Sequence, residues 1–350
     1  MYHDMELLFC VEVQYSGYKK QEERMKKLLL VLMIALIAST TLFAQGAVES
    51  VDTFPDKPVT ALIGWSAGGG ADIVFRAIAE VFPKYANGQP LVIQNQGAAA
   101  GVPAITEFMK AEPTGYNVLH WNVAHVIKTH MTKTAFTATE FEPVLQVVAS
   151  YNYLVVNANA KWNTLAEFVA DAKANPETIS LGNAGTGGGN HMAALLFEQA
   201  TETSFIHVPF SGGGPAITGL MSGQCDAVMA NAPEGIANVQ AGQLKVLAVF
   251  SDKALDSIPA KTGVAQGVDL VLEQWRGVVV PKGTPPAIVA KLESIFKQCI
   301  EDPAYIKKMQ ELGSIPTYKN GADYGKLVAF DDARYEKIVK DGGFGDKYTK

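Results

Sequence analysis

Short apolar blocks alternate with helical patterns along most of the chain, and several of those blocks end in loops of small residues. The sharpest case is Ala61-Leu62-Ile63-Gly64-Trp65-Ser66-Ala67-Gly68-Gly69-Gly70-Ala71-Asp72-Ile73. An apolar run stops in serine and three glycines, and a helix pattern follows with Ile73, Ala77, Ile78 and Val81 on one face. This predicts a strand over 59–63, a tight loop, and a helix over 73–82 that ends before Pro83. The device returns with a strand at 179–183, a glycine loop at 184–191 and a helix at 192–199. A third glycine loop, 209–215, stands between a strand at 205–208 and a helix at 216–221.

Further strands are expected at 91–95, 117–121, 225–230 and 244–250, with helices at 104–109 and 164–173. Thr164 is the expected N-cap of the last, with Glu167 completing a capping box. Two long apolar runs, 144–157 and 268–280, are expected to cross between two halves of the molecule. Thr284 as N-cap and Pro285 as first residue predict a helix start, and Ile288, Leu292, Ile295, Phe296 and Cys299 form its buried stripe. Helices over 303–312 and 322–339 and a polar tail at 342–350 close the chain. Alternating strands and helices of this size imply an α/β protein with mostly parallel sheets covered by helices on both faces.

The front end reads differently. Lys26 and Lys27 precede eleven apolar residues, and a cleavage site follows Ala44. That is the layout of a secretory signal peptide over 25–44, too short for a comfortable membrane span. Met25 is then the expected start, and 1–24 a mis-assigned extension. Removing 1–44 takes five basic and five acidic residues and leaves the net charge at −6.

The 350 residues suffice for one large domain or two of ordinary size. The negative charge and the lack of a basic block argue against a nucleic-acid partner. Three cysteines, Cys10, Cys225 and Cys299, show no metal spacing and are expected to be isolated thiols. No metal or cofactor is expected.

Gly64-Trp65-Ser66-Ala67-Gly68 matches the G-x-S-x-G of a nucleophile elbow, but only one strand precedes it and no late acid–histidine pair follows, so Ser66 is not expected to be catalytic. The expected chemistry is anion binding. Glycines admit a ligand close to the backbone, and a helix start offers free N–H groups and a positive dipole end. Ser66, Ala67, Gly68, Gly69 and Gly70 from the first loop and Thr186, Gly187, Gly188 and Asn190 from the second are the expected carboxylate grip, and Ser211 in the third loop is a further expected ligand contact. Trp65, Asn122, Tyr151, His191, Phe210, Asn231 and Trp275 are the expected walls. His191 reads equally as cleft lining and as helix capping. Asp72 is expected to accept N–H bonds at the helix start or to pair with Arg76. With four arginines in the chain, only Arg76 or Arg276 is placed to clamp an anion.

In order and spacing, these loops, with Gly115-Tyr116, Ala172-Lys173-Ala174-Asn175-Pro176, Trp275-Arg276-Gly277 and Pro281-Lys282-Gly283-Thr284-Pro285, resemble the exported solute-binding proteins of tripartite tricarboxylate transporters, the TctC/Bug family. The resemblance runs from about Phe54 to Tyr335. It implies a periplasmic-binding-protein-like fold, with domain 1 at 55–150 and 275–341 and domain 2 at 151–274, closing on a ligand at hinges near 148–154 and 270–277. It implies a non-enzymatic, periplasmic, monomeric protein that holds a small organic carboxylate, partly through ordered water, and delivers it to a permease of one large and one small membrane subunit. Presentation to a membrane sensor is the alternative. Two departures stand out. Asn95-Gln96-Gly97-Ala98-Ala99-Ala100-Gly101 replaces the family's Asn-x-Pro-Gly-Ala-Gly-Gly, and Asn190 stands where a small residue is common.

Overall fold

Strand β1 (Val59–Ile63) pairs in parallel with β2 (Leu91–Asn95) on one side and β3 (Asn117–Asn122) on the other. Helices α1 (Gly70–Val81) and α2 (Val102–Phe108) fill the connections. This computed structural model describes residues 53–98 and 101–346. The expected signal peptide, the upstream extension, Ala99, Ala100 and the last four tail residues lie outside them.

After β3, helix α3 (Val123–Met131) leads to β4 (Glu142–Asn157), the longest strand described, at 16 residues. Its neighbours change part-way. Up to Tyr151 it pairs antiparallel with β9 (Glu273–Val280), and β10 (Ile315–Asn320) lies on its other side. From Asn152 onward it pairs antiparallel with β7 (Ala227–Asn231) and β8 (Leu244–Val249). Beyond β7, strands β5 (Ser180–Asn183) and β6 (Ile206–Pro209) add parallel pairs. One sheet of ten strands results, with its first half built on β1–β3 and β9 and its second on β5–β8. The sheet is mixed rather than mostly parallel. Pairing is parallel within the βα units, where a helix carries the chain back, and antiparallel wherever β4 or β9 takes part.

Helices α4 (Leu165–Ala174), α5 (Gly189–Thr201), α6 (Gly213–Met221) and α7 (Ile236–Gln240) belong to the second half; α8 (Pro286–Glu301), α9 (Pro303–Glu311) and α10 (Gly321–Asp341) return to the first. The Thr164 side chain caps α4, accepting from the Glu167 N–H at 3.1 Å, and Glu167 reaches back to the Asn163 N–H. The stripe expected on α8 is buried as drawn. That helix opens one residue later than expected, at Pro286, because the Thr284 hydroxyl donates to the Pro281 carbonyl and closes a turn instead.

Among the described residues, three apolar clusters stand out. One, around Trp121, Trp275 and Tyr324, lies in the first half. The other two cover opposite faces of the second, around Phe168 and Phe197 and around Tyr153 and Ile217. Cys225 and Cys299 are buried free thiols, pushed up to about 11 and about 12 chiefly by burial.

Candidate functional site

Three glycine loops end at the starts of α1, α5 and α6, and those starts meet. Gly69, Gly70, Gly189 and Gly213 line one cavity of about 30 Å³ together with Trp65, Asn122, Asn190, Glu234, Gln274 and Arg276. Helix α1 comes from the first half of the sheet, α5 and α6 from the second. Their free N–H groups and positive dipole ends therefore face one small space from both sides.

A buried polar network forms the floor. The Glu234 carboxylate accepts from the Gly70 N–H at 3.2 Å, the Asn231 N–H at 3.0 Å and the Asn190 amide at 3.0 Å. A Cβ on Gly213 would overlap that carboxylate, so only glycine permits its approach to the start of α6. Asn190 accepts in turn from Asn152 at 3.2 Å, and Asn152 from Gln274 at 3.0 Å. The Arg276 guanidinium donates to Ser150 at 2.7 Å and to Asn231. Burial draws its pKa down to about 10, and the neighbouring Glu234 charge works against that shift. Trp65 Nε1, Asn231 Nδ2 and Arg276 Nε are buried donors without a partner among the described residues. Such donors are costly unless something accepts from them.

The two halves touch around this space. Ser66 donates to the Ser211 carbonyl at 2.9 Å, and Lys128 to the Thr186 carbonyl at 3.1 Å. Trp65 stacks on His125 at 5.6 Å, and its ring also lies against Gly188. The Ser66 hydroxyl thus serves a backbone carbonyl and not a histidine.

The structure distributes the expected residues unevenly. Trp65, Gly69, Gly70, Asn122 and Asn190 line the cavity, and Asn231 reaches it through Arg276 and Glu234. Ser66, Thr186, Gly188 and Ser211 make the contacts between halves. Ala67, Gly68 and Phe210 line a separate groove of about 730 Å³ that carries no charged side chain. Asp72 does both things expected of it, accepting from the Gly68 N–H and from Arg76, each at 2.9 Å. His191 accepts from the Gly187 N–H at 3.1 Å, which ties its own loop to the helix start.

Two of the expected walls are turned away. Tyr151 is buried against the second half, its phenol pushed up to about 12 chiefly by burial. Trp275 lies in the first-half core, where its indole donates to Asp331 at 2.6 Å. Alternate residues of a strand face opposite ways, so on β9 it is Gln274 and Arg276 that reach the cavity. Glu234, Gln274 and the Asn152–Ser150 pair were not expected. His120 on β3 and His125 in the first turn of α3 are in ring contact at 5.5 Å, both buried.

Burial also gives the site a pH signature. His191 is lowered to about 4 and His125 to about 3, chiefly by burial, against an ordinary 6.5. Protons bind more readily to the unfolded chain, so stability present above pH 6.5 is lost as pH falls toward 4. Urea midpoints are expected to drop between pH 7 and pH 4.5, and His191→Asn to flatten part of that slope. An unchanged slope in the variant would remove His191 from the account.

Comparison with known proteins adds the family. A UPF0065 protein in the gbd 5' region of Cupriavidus necator is 29% identical over 312 residues, covering 87% of this chain and 93% of that protein. The solved periplasmic binding protein BugD superposes with a TM-score of 0.80 at 26% identity, covering 83% of this chain and 99% of BugD. An R. palustris protein solved with adipate gives 0.79 at 25%, with 83% and 99% covered. The fold is that of the periplasmic binding proteins, and among the described residues no helix is long and apolar enough to cross a membrane. Residues 74–344 match the family described as "Tripartite tricarboxylate transporter family receptor", and the chain belongs to that family of solute-binding proteins.

Proposed function

We propose that this protein is exported, captures a small organic carboxylate between two lobes and hands it to a membrane permease of one large and one small subunit. The lobes are 55–150 with 275–341, and 151–274, and the protein acts as a monomer. The observation that carries this reading is the meeting of three helix starts, drawn from both halves, beside Arg276. Each start contributes about 0.3–1 kcal/mol to a bound anion, and up to ~2 where partly buried. Charge-assisted bonds add about 1.5–3 kcal/mol each. After the cost of association, micromolar affinity, about −8 kcal/mol, is within reach. The adipate held by the R. palustris relative supports the ligand class.

A cavity of about 30 Å³ suits one or two water molecules, not an organic acid. Binding therefore requires the halves to part, by a hinge motion where β4 changes neighbours near Asn152 and where the chain enters β9. Isothermal titration with adipate, succinate, citrate, benzoate, glutamate and 4-aminobutyrate is expected to give micromolar binding to at least one. Silence across the whole panel would sink the proposal.

A further inference from the structure

The cavity already contains a carboxylate. Glu234 is 5% exposed and Arg276 3%, so a carboxylate and a guanidinium are buried together. Their placement is uneven with respect to the two halves. Two of the three bonds to Glu234, from the Asn231 N–H and the Asn190 amide, come from its own half and end on Oε2. The third, from the Gly70 N–H, comes from the opposite half and ends on Oε1. When the halves part, only that third bond breaks. Oε2 keeps its donors and the carboxylate stays in place, while Oε1 and the Gly70 N–H are both freed toward the arriving ligand.

A ligand carboxylate that takes the Gly70 N–H then lies against Glu234 Oε1. Two carboxylates at such range repel strongly once water is excluded. Arg276 uses two of its five N–H groups on Ser150 and Asn231 and can still donate to the ligand, but it brings a single positive charge. Its charge offsets one carboxylate, and Glu234 is that one. Lys128 is another cation near the loops, and its amine is held at the Thr186 carbonyl. Asp72 adds no charge, being paired with Arg76. Buried charge is tolerated only when paired. A ligand of no net charge fits this balance, and one with two carboxylates does not.

We infer that Glu234 sets the charge of the ligand: the site takes a small zwitterion, its carboxylate held by the helix starts and Arg276 and its ammonium group by Glu234 Oε1. This rests on the carboxylate-binding reading and narrows it.

The test uses matched pairs in which a carboxylate replaces the ammonium group: 4-aminobutyrate against glutarate, and alanine against methylmalonate. Titration of the full protein is expected to favour the amino acid of at least one pair by about tenfold or more, roughly one added charge-assisted bond. Glu234→Gln is expected to erase that preference, and Glu234→Asp, which keeps the charge, to retain it. Melting temperatures confirm that each variant is folded. A wild-type protein that prefers the diacids, or a preference unchanged in Glu234→Gln, overturns the inference while leaving carboxylate capture standing. No binding to any acid of either kind would overturn both.

Discussion

Replacing Gly214 with valine is expected to leave the protein folded and to weaken carboxylate binding by about a hundredfold or more. A Cβ at this position would lie 2.8 Å from the Gly68 carbonyl oxygen and 2.9 Å from its carbon, both backbone atoms of the opposing loop. Backbone cannot swing aside as a side-chain tip does, so the halves are held apart. The Ser66–Ser211 and Gly70–Glu234 bonds across the gap are then lost. A ligand seated on one half forgoes the donors of the other, and two charge-assisted bonds at about 1.5–3 kcal/mol each already exceed a hundredfold. Within α6 itself the change is mild, since a β-branched residue in a helix costs no more than the glycine it replaces. Titration should show the loss, X-ray scattering a larger radius, and thermal unfolding little change. Unaltered affinity and dimensions would mean that these loops do not need to meet for binding.

Removing the guanidinium acts in the opposite way, on stability as well as binding. Arg276→Ala is expected to lower the unfolding free energy by about 3–5 kcal/mol, the usual cost of orphaning a buried charge. For a protein of this size that is a fall of roughly 5–8 °C in Tm. Glu234 keeps its hydrogen bonds but loses its countercharge, and Ser150 and Asn231 each lose a donor. Arg276→Lys is expected to recover only part, because one ammonium cannot reproduce two diverging nitrogens aimed at two acceptors. Differential scanning calorimetry decides it. A Tm within 2 °C of wild type in Arg276→Ala would show that the buried charges are not coupled.

What was legible in the sequence was what is encoded locally. Strand, glycine loop and helix follow one another within about fifteen residues, so the starts of α1 and α5 were visible, as were the Thr164 cap and the apolar stripe of α8. The floor of the cavity was legible only in part: Asn190, Asn231 and Arg276 were expected, but Glu234, Gln274, Ser150 and Asn152 were not, because these come from β4, β9 and the turn after β7 and meet only through strand pairing. Signals were present all the same. Glu234 is the one charged residue between Asp226 and Lys245, and a lone carboxylate in so apolar a stretch points to burial with partners. Period-two alternation on β9 would have exchanged Trp275 for Gln274, on the same face as the expected Arg276. Strand β10 escaped notice because Ile315-Pro316-Thr317-Tyr318-Lys319-Asn320 is short, partly polar and contains a proline, as an edge strand tolerates.

The change of neighbours along β4 bears on how the protein is made. Its first part is flanked by β9 and β10, which begin at Glu273 and Ile315, far later in the chain. A growing polypeptide therefore completes β1 to β4 long before the strands that seal them exist. The early segment waits unsealed while the whole second half is synthesised, and such late, non-local pairing slows folding. Assembly of the first half is timed by the arrival of the chain's last quarter.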